Sequence, residues 1–139
     1  MRRVGSPREY LDAAADRAQD SKDLYRTERF GGAIYLAGVS IECALHSFLP
    51  SGHHLGGNHN LALLSGAGFS QRLAPRRAKE VGRILTDVMI RWNNGQRYYP
   101  TVLTERLIKP RVETYRDAKG NANFLVEAAY DIFKQAFAL

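Results

Sequence analysis

The chain has 139 residues, of which 45% are hydrophobic and 24% charged, a composition typical of one soluble domain with a single core. No apolar stretch has membrane-spanning length, because Glu42 and His46 interrupt the most apolar segment and Pro50 ends it. The basic N-terminus MRRVGSPREY lacks the apolar region of a secretory signal, and a single cysteine, Cys43, is typical of a reducing compartment. We therefore expect one cytoplasmic domain over residues 1–139, with no membrane contact.

The net charge of +6 lies entirely in the second half of the chain. Lysine and arginine balance the acidic residues over residues 1–70, whereas residues 71–139 carry thirteen basic and seven acidic residues. The candidate members of a basic surface are Arg72, Arg76, Arg77, Lys79, Arg83, Arg106, Lys109 and Arg111. Such clusters attract phosphates through counterion release, although a run of charges is also typical of an ordinary solvated face.

The first half predicts two long helices and a short one. Ser6 followed by Pro7 is a helix start, so helix one should run from about residue 7 to residues 26–28, after a flexible tail at 1–5. Gly31 and Gly32 should form the turn into helix two. Residues 50–58, rich in glycine and histidine, form a loop, and a short helix follows over Leu61 to Ser65.

The second half predicts two more long helices. Pro75 opens one of them, and its apolar stripe consists of Val81, Ile84, Leu85, Val88 and Trp92. Residues 101–119 form a basic, mobile insertion that Pro110 prevents from being one continuous helix. The last helix should begin at about Asn123. No strand pattern is evident, so the sequence predicts an all-α fold in which four long helices form an antiparallel bundle, with one additional short helix.

Helix two carries the most informative residue of the chain. The segment YLAGVSIECALHSFL, residues 35–49, is apolar on almost every side and contains one carboxylate, Glu42. An ionised carboxylate in that position would cost several kcal/mol unless a cation, a proton or a partner subunit meets it. We predict that Glu42 is mostly buried and contacts Arg91 or Arg97.

Three segments of the chain resemble the HEPN superfamily, the higher eukaryotes and prokaryotes nucleotide-binding domain. They are residues 33–49, the run Asn58-His59-Asn60-Leu61 with Leu63-Leu64, and Arg91-Trp92 with Arg97-Tyr98. The resemblance spans roughly residues 6 to 139. It implies an up-down helical bundle that forms a homodimer, binds nucleotide or RNA, and pairs with a minimal nucleotidyltransferase in a toxin–antitoxin-like system. The ligand- or phosphate-binding candidates are Glu42, His59, Arg91, Arg97 and Tyr98.

The same resemblance argues against catalysis. RNA-cleaving members carry an arginine followed four to six residues later by a histidine, but here Arg97 stands six residues after Arg91 and no histidine follows His59. Arginine cannot transfer protons near neutral pH, so we assign no catalytic residue. The alternatives are a divergent metal-independent RNase that uses another acid–base group and a purely structural dimerisation module.

The histidines do not predict a metal site. His53, His54 and His59 share one loop without an acid or a cysteine, and neighbouring histidines seldom bind one ion together. We therefore expect neither a metal nor a cofactor, and we expect His59 to anchor the short helix.

Overall fold

The computed structural model describes residues 6–49, 59–92, 106 and 118–139, and the regular structure in these ranges is helical. The elements are α1 (Pro7–Arg26), α2 (Phe30–His46), α3 (Leu61–Gly66), a 3₁₀-helix (Phe69–Arg72), α4 (Pro75–Arg91) and α5 (Ala118–Ala138). The all-α prediction is confirmed. The tail at 1–5, the loop at 50–58 and most of the insertion at 101–119 lie outside the described residues. Within the ranges above, no helix is long and apolar enough to cross a membrane.

Helix α1 begins where the capping signal places it. The Ser6 hydroxyl oxygen accepts a hydrogen bond from the Glu9 amide at 3.2 Å, and Pro7 occupies the first turn. The helix buries a narrow face of small side chains, Ala14, Ala18 and Ser21. Small side chains allow the neighbouring helix axis to come close.

The turn between α1 and α2 differs from the prediction. Glu28 has a positive φ of 60°, and the amide of the next residue, Arg29, donates to the Leu24 carbonyl at 2.8 Å. This is the left-handed closure that usually ends in glycine. Gly31 and Gly32 instead lie inside α2, so the prediction that they form the turn is wrong.

Helix α2 lies at the centre of the core and packs against both α1 and α5. Its buried apolar side chains include Ile34, Ala37, Ile41 and Leu45, as the sequence spacing predicts. The buried Ser40 hydroxyl donates to the Ala14 carbonyl of α1 at 2.7 Å, which satisfies a polar group at the helix contact. Much of the apolar surface of α2 is therefore covered within one chain.

The single tryptophan packs into the core at the end of helix α4. Trp92, which follows α4 directly, is 3% exposed, and its indole Nε1 donates to the Tyr35 carbonyl at 3.0 Å. The indole occupies the space above Gly38, where an added Cβ would lie 2.1 Å from Nε1. The prediction that Trp92 belongs to the apolar stripe of this helix is confirmed.

Helix α5 begins at Ala118, and the prediction of a start near Asn123 is wrong. Asn121 is fully buried and accepts a hydrogen bond from Nε of Arg91 at 3.1 Å, which fixes the first turn of α5 despite its poor helix formers. Near the other end of α5, Gln135 accepts a bond from Arg77 in the first turn of α4. Because the start of each helix lies beside the end of the other, α4 and α5 run in opposite directions.

Candidate functional site

Glu42 lies on the last turns of α2 and is nearly buried, with a side chain 13% exposed. Its Oε1 lies 2.6 Å from Nδ1 of His59 and 3.8 Å from Nε2 of His46. The first distance is a short, charge-assisted hydrogen bond, whereas the second is too long for one. The prediction that Glu42 is mostly buried is confirmed, and its described partner is a histidine.

The prediction that Glu42 contacts Arg91 or Arg97 is not met by Arg91, and Arg97 lies outside the described residues. Arg91 is buried, but its guanidinium donates to Asn121 and to the Asp87 carbonyl, the latter at 2.8 Å, and lies over the Phe124 ring at 4.8 Å. Residues of α5 therefore supply a hydrogen-bond acceptor and an aromatic ring to the Arg91 guanidinium. Arg91 therefore has structural partners at Asp87, Asn121 and Phe124, and its predicted role as a phosphate ligand stays a prediction.

His59 is positioned from the start of α3. The next residue, Asn60, caps α3 with its side-chain oxygen, which accepts a bond from the Leu63 amide at 3.1 Å. The cap fixes the backbone at residue 60, so the ring of His59 is held against Glu42 while its side chain stays 40% exposed. The expectation that His59 anchors the short helix fits this geometry, and the anchor joins α3 to the end of α2.

The tautomer of His59 follows from its partner. An ionised carboxylate only accepts hydrogen bonds, so with Glu42 in that form we assign the proton to Nδ1 of the ring. In the neutral imidazole this leaves a lone pair on Nε2, the ring nitrogen that points away from Glu42. A carboxylate–imidazole pair of this kind can transfer protons or attack an electrophile. We call Glu42 and His59 the dyad.

The dyad has two further neighbours from the same end of the fold. Tyr10 of α1 stacks on the His46 ring, with centroids 5.2 Å apart and an interplanar angle of 16°. Cys43 follows Glu42 on α2. Burial, and then the negative charge of Glu42, raise the pKa of the Cys43 thiol to about 11, and burial with the charges of Cys43 and Glu42 also raises the pKa of Tyr10. Both groups therefore keep their protons near neutral pH.

The predicted basic surface separates into bound and exposed side chains. Arg77 bonds to Gln135 and Glu80 at 2.8 Å, and the Arg72 guanidinium lies 5.6 Å from the centroid of the Phe48 ring. The remaining described members, Arg76, Lys79, Arg83 and Arg106, are exposed. Lys109 and Arg111 lie outside the described residues, as do the ligand candidates Arg97 and Tyr98.

Two members of the site could have been found from sequence and one could not. His46 follows Glu42 by one helical turn, the spacing that puts two side chains on one face. Tyr10 shares the apolar face of α1. Asn121, a partner of Arg91, lies just before the predicted start of the last helix at Asn123, and no local signal identified it.

No group of three or more histidine, cysteine or acidic side chains suited to a metal ion occurs in the described part of the chain. No protein-family model, no curated protein and no solved structure matches this chain.

Proposed function

We propose that the protein is a HEPN-like, non-catalytic module that binds the phosphates of RNA or of a nucleotide on the outer surface of α4. Arg76, Lys79 and Arg83 form this surface, which we call the basic face. The partner implied by the resemblance, a minimal nucleotidyltransferase in a toxin–antitoxin-like pair, and a homodimeric state belong to the same proposal.

The observation that carries the proposal is the exposure of three cations on one side of one helix. Residues at positions i, i+3 and i+7 share a helix face, and these three span about 10 Å along the axis of α4. All three side chains are exposed, and the described contacts include no ion pair for any of them. A ligand with more than one phosphate could contact two or three of these cations at once.

Some cations elsewhere in the described ranges form ion pairs, whereas Arg26, Arg29 and Lys119 form none among the described contacts. On α1, Arg8 pairs with Asp12 at 3.1 Å, and Arg17 pairs with Asp20 at 3.0 Å. On α4 itself, Glu80 is engaged by Arg77 on the neighbouring side of the helix. Asp87, exposed four residues after Arg83, lies on the same side of α4, so the basic face carries three cations and one acid without a described ion pair. Its net charge stays positive, which is the condition for counterion release on phosphate binding.

The directions of the helices support the bundle part of the proposal. Tyr10, near the start of α1, stacks on His46 at the end of α2, and the start of α4 lies beside the end of α5. Tyr130 of α5 bonds to Gln19 of α1 at 3.0 Å, and Arg8 lies over the Phe137 ring. Each of these pairs is antiparallel, as between neighbours in an up-down bundle, and α2 and α5, which also pack together, run in the same direction.

The test is the salt dependence of RNA binding by matched charge variants. We expect a labelled single-stranded RNA to bind the parent at low salt, and the triple variant Arg76→Gln, Lys79→Gln, Arg83→Gln to bind more weakly. Its slope of log affinity against log salt should be shallower by about 2, because three phosphate contacts are lost.

The control removes three exposed cations elsewhere, with Arg26→Gln, Arg29→Gln and Lys119→Gln. This variant has the same net charge as the first and should bind nearly like the parent. Equal losses in both variants would show attraction to net charge alone, and no binding by the parent at low salt would refute the proposal. Competition by a nucleoside triphosphate then distinguishes a nucleotide site from an RNA site.

The same samples discriminate the two alternatives. Shortening of the RNA in the absence of metal would favour the divergent RNase. Sedimentation equilibrium tests the homodimer, and a stable dimer that binds no RNA would favour the structural module.

A further inference from the structure

The dyad holds the only described histidine with a hydrogen-bonded carboxylate, and its geometry is that of an activated nucleophile. The Glu42 carboxylate is nearly buried, and the bond from Nδ1 to Oε1 is 2.6 Å long. A charged hydrogen bond in a poorly solvated place is stronger than one in water, and it holds the ring in one orientation with the opposite nitrogen turned away from the carboxylate. No described residue bonds to Nε2 of His59, and the side chain is 40% exposed.

We propose that Nε2 of His59 is a phosphoryl-acceptor site, with Glu42 as its positioning residue and small phosphoryl donors of the phosphoramidate or acyl phosphate class as substrates. The Nε2 lone pair attacks phosphorus, and a new N–P bond forms. The donor's own bond to phosphorus breaks, so that ammonia leaves from phosphoramidate or acetate leaves from acetyl phosphate. The Nδ1 proton stays on the ring, where the carboxylate neutralises the positive charge that the new bond creates.

The other nucleophiles at this end of the fold are held in their unreactive forms. The Cys43 thiol has a pKa raised to about 11 by burial and by Glu42, and burial raises the pKa of the Tyr10 phenol. A thiol or phenol attacks as its anion, which is scarce for both groups near neutral pH. A neutral imidazole needs no deprotonation, so His59 is the group that can react.

His46 provides an internal comparison for the role of the hydrogen bond. It faces the same carboxylate oxygen, but at 3.8 Å, and its ring is stacked on Tyr10 and only 19% exposed. Both histidines therefore lie near the charge of Glu42. The hydrogen bond that fixes a tautomer is made by His59 and not by His46. We expect His59 to react and His46 to remain largely unmodified.

The experiment treats the full chain with potassium phosphoramidate, and separately with acetyl phosphate, near neutral pH. Intact mass and peptide mapping should show one phosphoryl group on His59 that is stable in alkali and lost in acid. His59→Gln should abolish it. His54→Gln, a control outside the described residues, should leave the rate unchanged, and unfolding the parent in urea should remove the preference for His59.

Two Glu42 variants test the positioning role. Glu42→Gln keeps an acceptor but removes the charge, so the rate should fall about tenfold, the equivalent of 1.4 kcal/mol. Glu42→Asp keeps the charge on a shorter side chain and should recover part of the rate. Equal rates in the parent and in a folded Glu42→Gln would overturn the proposal, as would labelling of His46 or His54 at the same rate as His59.

A measurement on the parent protein covers the case in which Glu42→Gln fails to fold. Nitrogen-15 spectra of labelled histidine distinguish the two neutral tautomers, and the His59 signal should show the proton on Nδ1. A His59 signal with the proton on Nε2 would contradict the proposal. The dyad shares no residue with the basic face, so failure of this proposal and failure of RNA binding are read from different variants.

Discussion

The packing of Trp92 on Gly38 gives the sharpest test of the fold, through Gly38→Ala. The added Cβ would lie 2.1 Å from Nε1, 2.2 Å from Cδ1 and 2.3 Å from Cε2 of the indole, and such overlaps require the ring to move. The ring is 3% exposed and its Nε1 is bonded to the Tyr35 carbonyl, so movement disturbs the core and lengthens that bond.

The expected loss follows from three contributions. Overpacking a core typically costs about 1 to 3 kcal/mol. Loss of the indole hydrogen bond adds about 0.5 to 1.5 kcal/mol. Alanine is favoured over glycine inside a helix by about 0.5 to 1 kcal/mol, which offsets part of the cost. We therefore expect Gly38→Ala to lower the free energy of unfolding by about 2 kcal/mol.

Gly82→Ala is the matched control, because it makes the same substitution inside α4 at an exposed position with no atom within 4 Å of the new Cβ. It should raise the free energy of unfolding by about 0.5 to 1 kcal/mol. Urea unfolding followed by fluorescence measures both variants, since Trp92 is the only tryptophan. Gly38→Ala should also shift the emission to longer wavelength. Parent-like stability and emission in that variant would refute the packing of Trp92 on Gly38.

The helix starts were predictable because their signals are local. Ser6 with Pro7, and Pro75, each lie beside the first turn that they stabilise, and the described helices begin there. The apolar stripes on α2 and α4 were predictable for a similar reason, since the helical period alone decides which side chains share a face.

Turns and late helix starts depend on less local causes. Glu28 adopts a left-handed conformation that is usually expected of glycine. The sequence therefore placed the turn at the nearby pair Gly31 and Gly32, which lie inside α2. The first turn of α5 depends on the contact of Asn121 with Arg91, thirty residues earlier in the chain. A tertiary hydrogen bond of this kind overrides weak helix propensity and leaves no trace in composition.

The sequence predicted the burial of Glu42 in the candidate site but not its histidine partner. An apolar surrounding predicts that Glu42 is buried and needs a partner, because an uncompensated charge there would be costly. The choice between Arg91 and His59 depends on which segment reaches the end of α2. Asn60 caps α3 and sets its neighbour His59 against the carboxylate, whereas the burial of Asn121 draws Arg91 to α5. Neither fact is visible in the spacing of residues along the chain.

Three further changes test the turn, the buried arginine and the thiol. Glu28→Gly should raise the melting temperature, because glycine adopts the positive φ at this helix end without strain. Asn121→Ala should lower the free energy of unfolding by about 1 to 3 kcal/mol, since Arg91 loses a buried acceptor, and a parent-like urea midpoint would contradict that contact. Burial, and then Glu42, raise the pKa of Cys43 from 9.0 to about 11, so the folded chain holds the thiol proton more tightly than the unfolded chain does. The resulting stability is complete below pH 9 and is lost as the pH rises towards 11. It should amount to about 2 kcal/mol between about pH 8 and about pH 10.5. Cys43→Ala removes this contribution, so its unfolding free energy should fall less over the same interval than that of the parent. Equal pH dependence in the two proteins would mean that the thiol does not lie buried beside the Glu42 carboxylate.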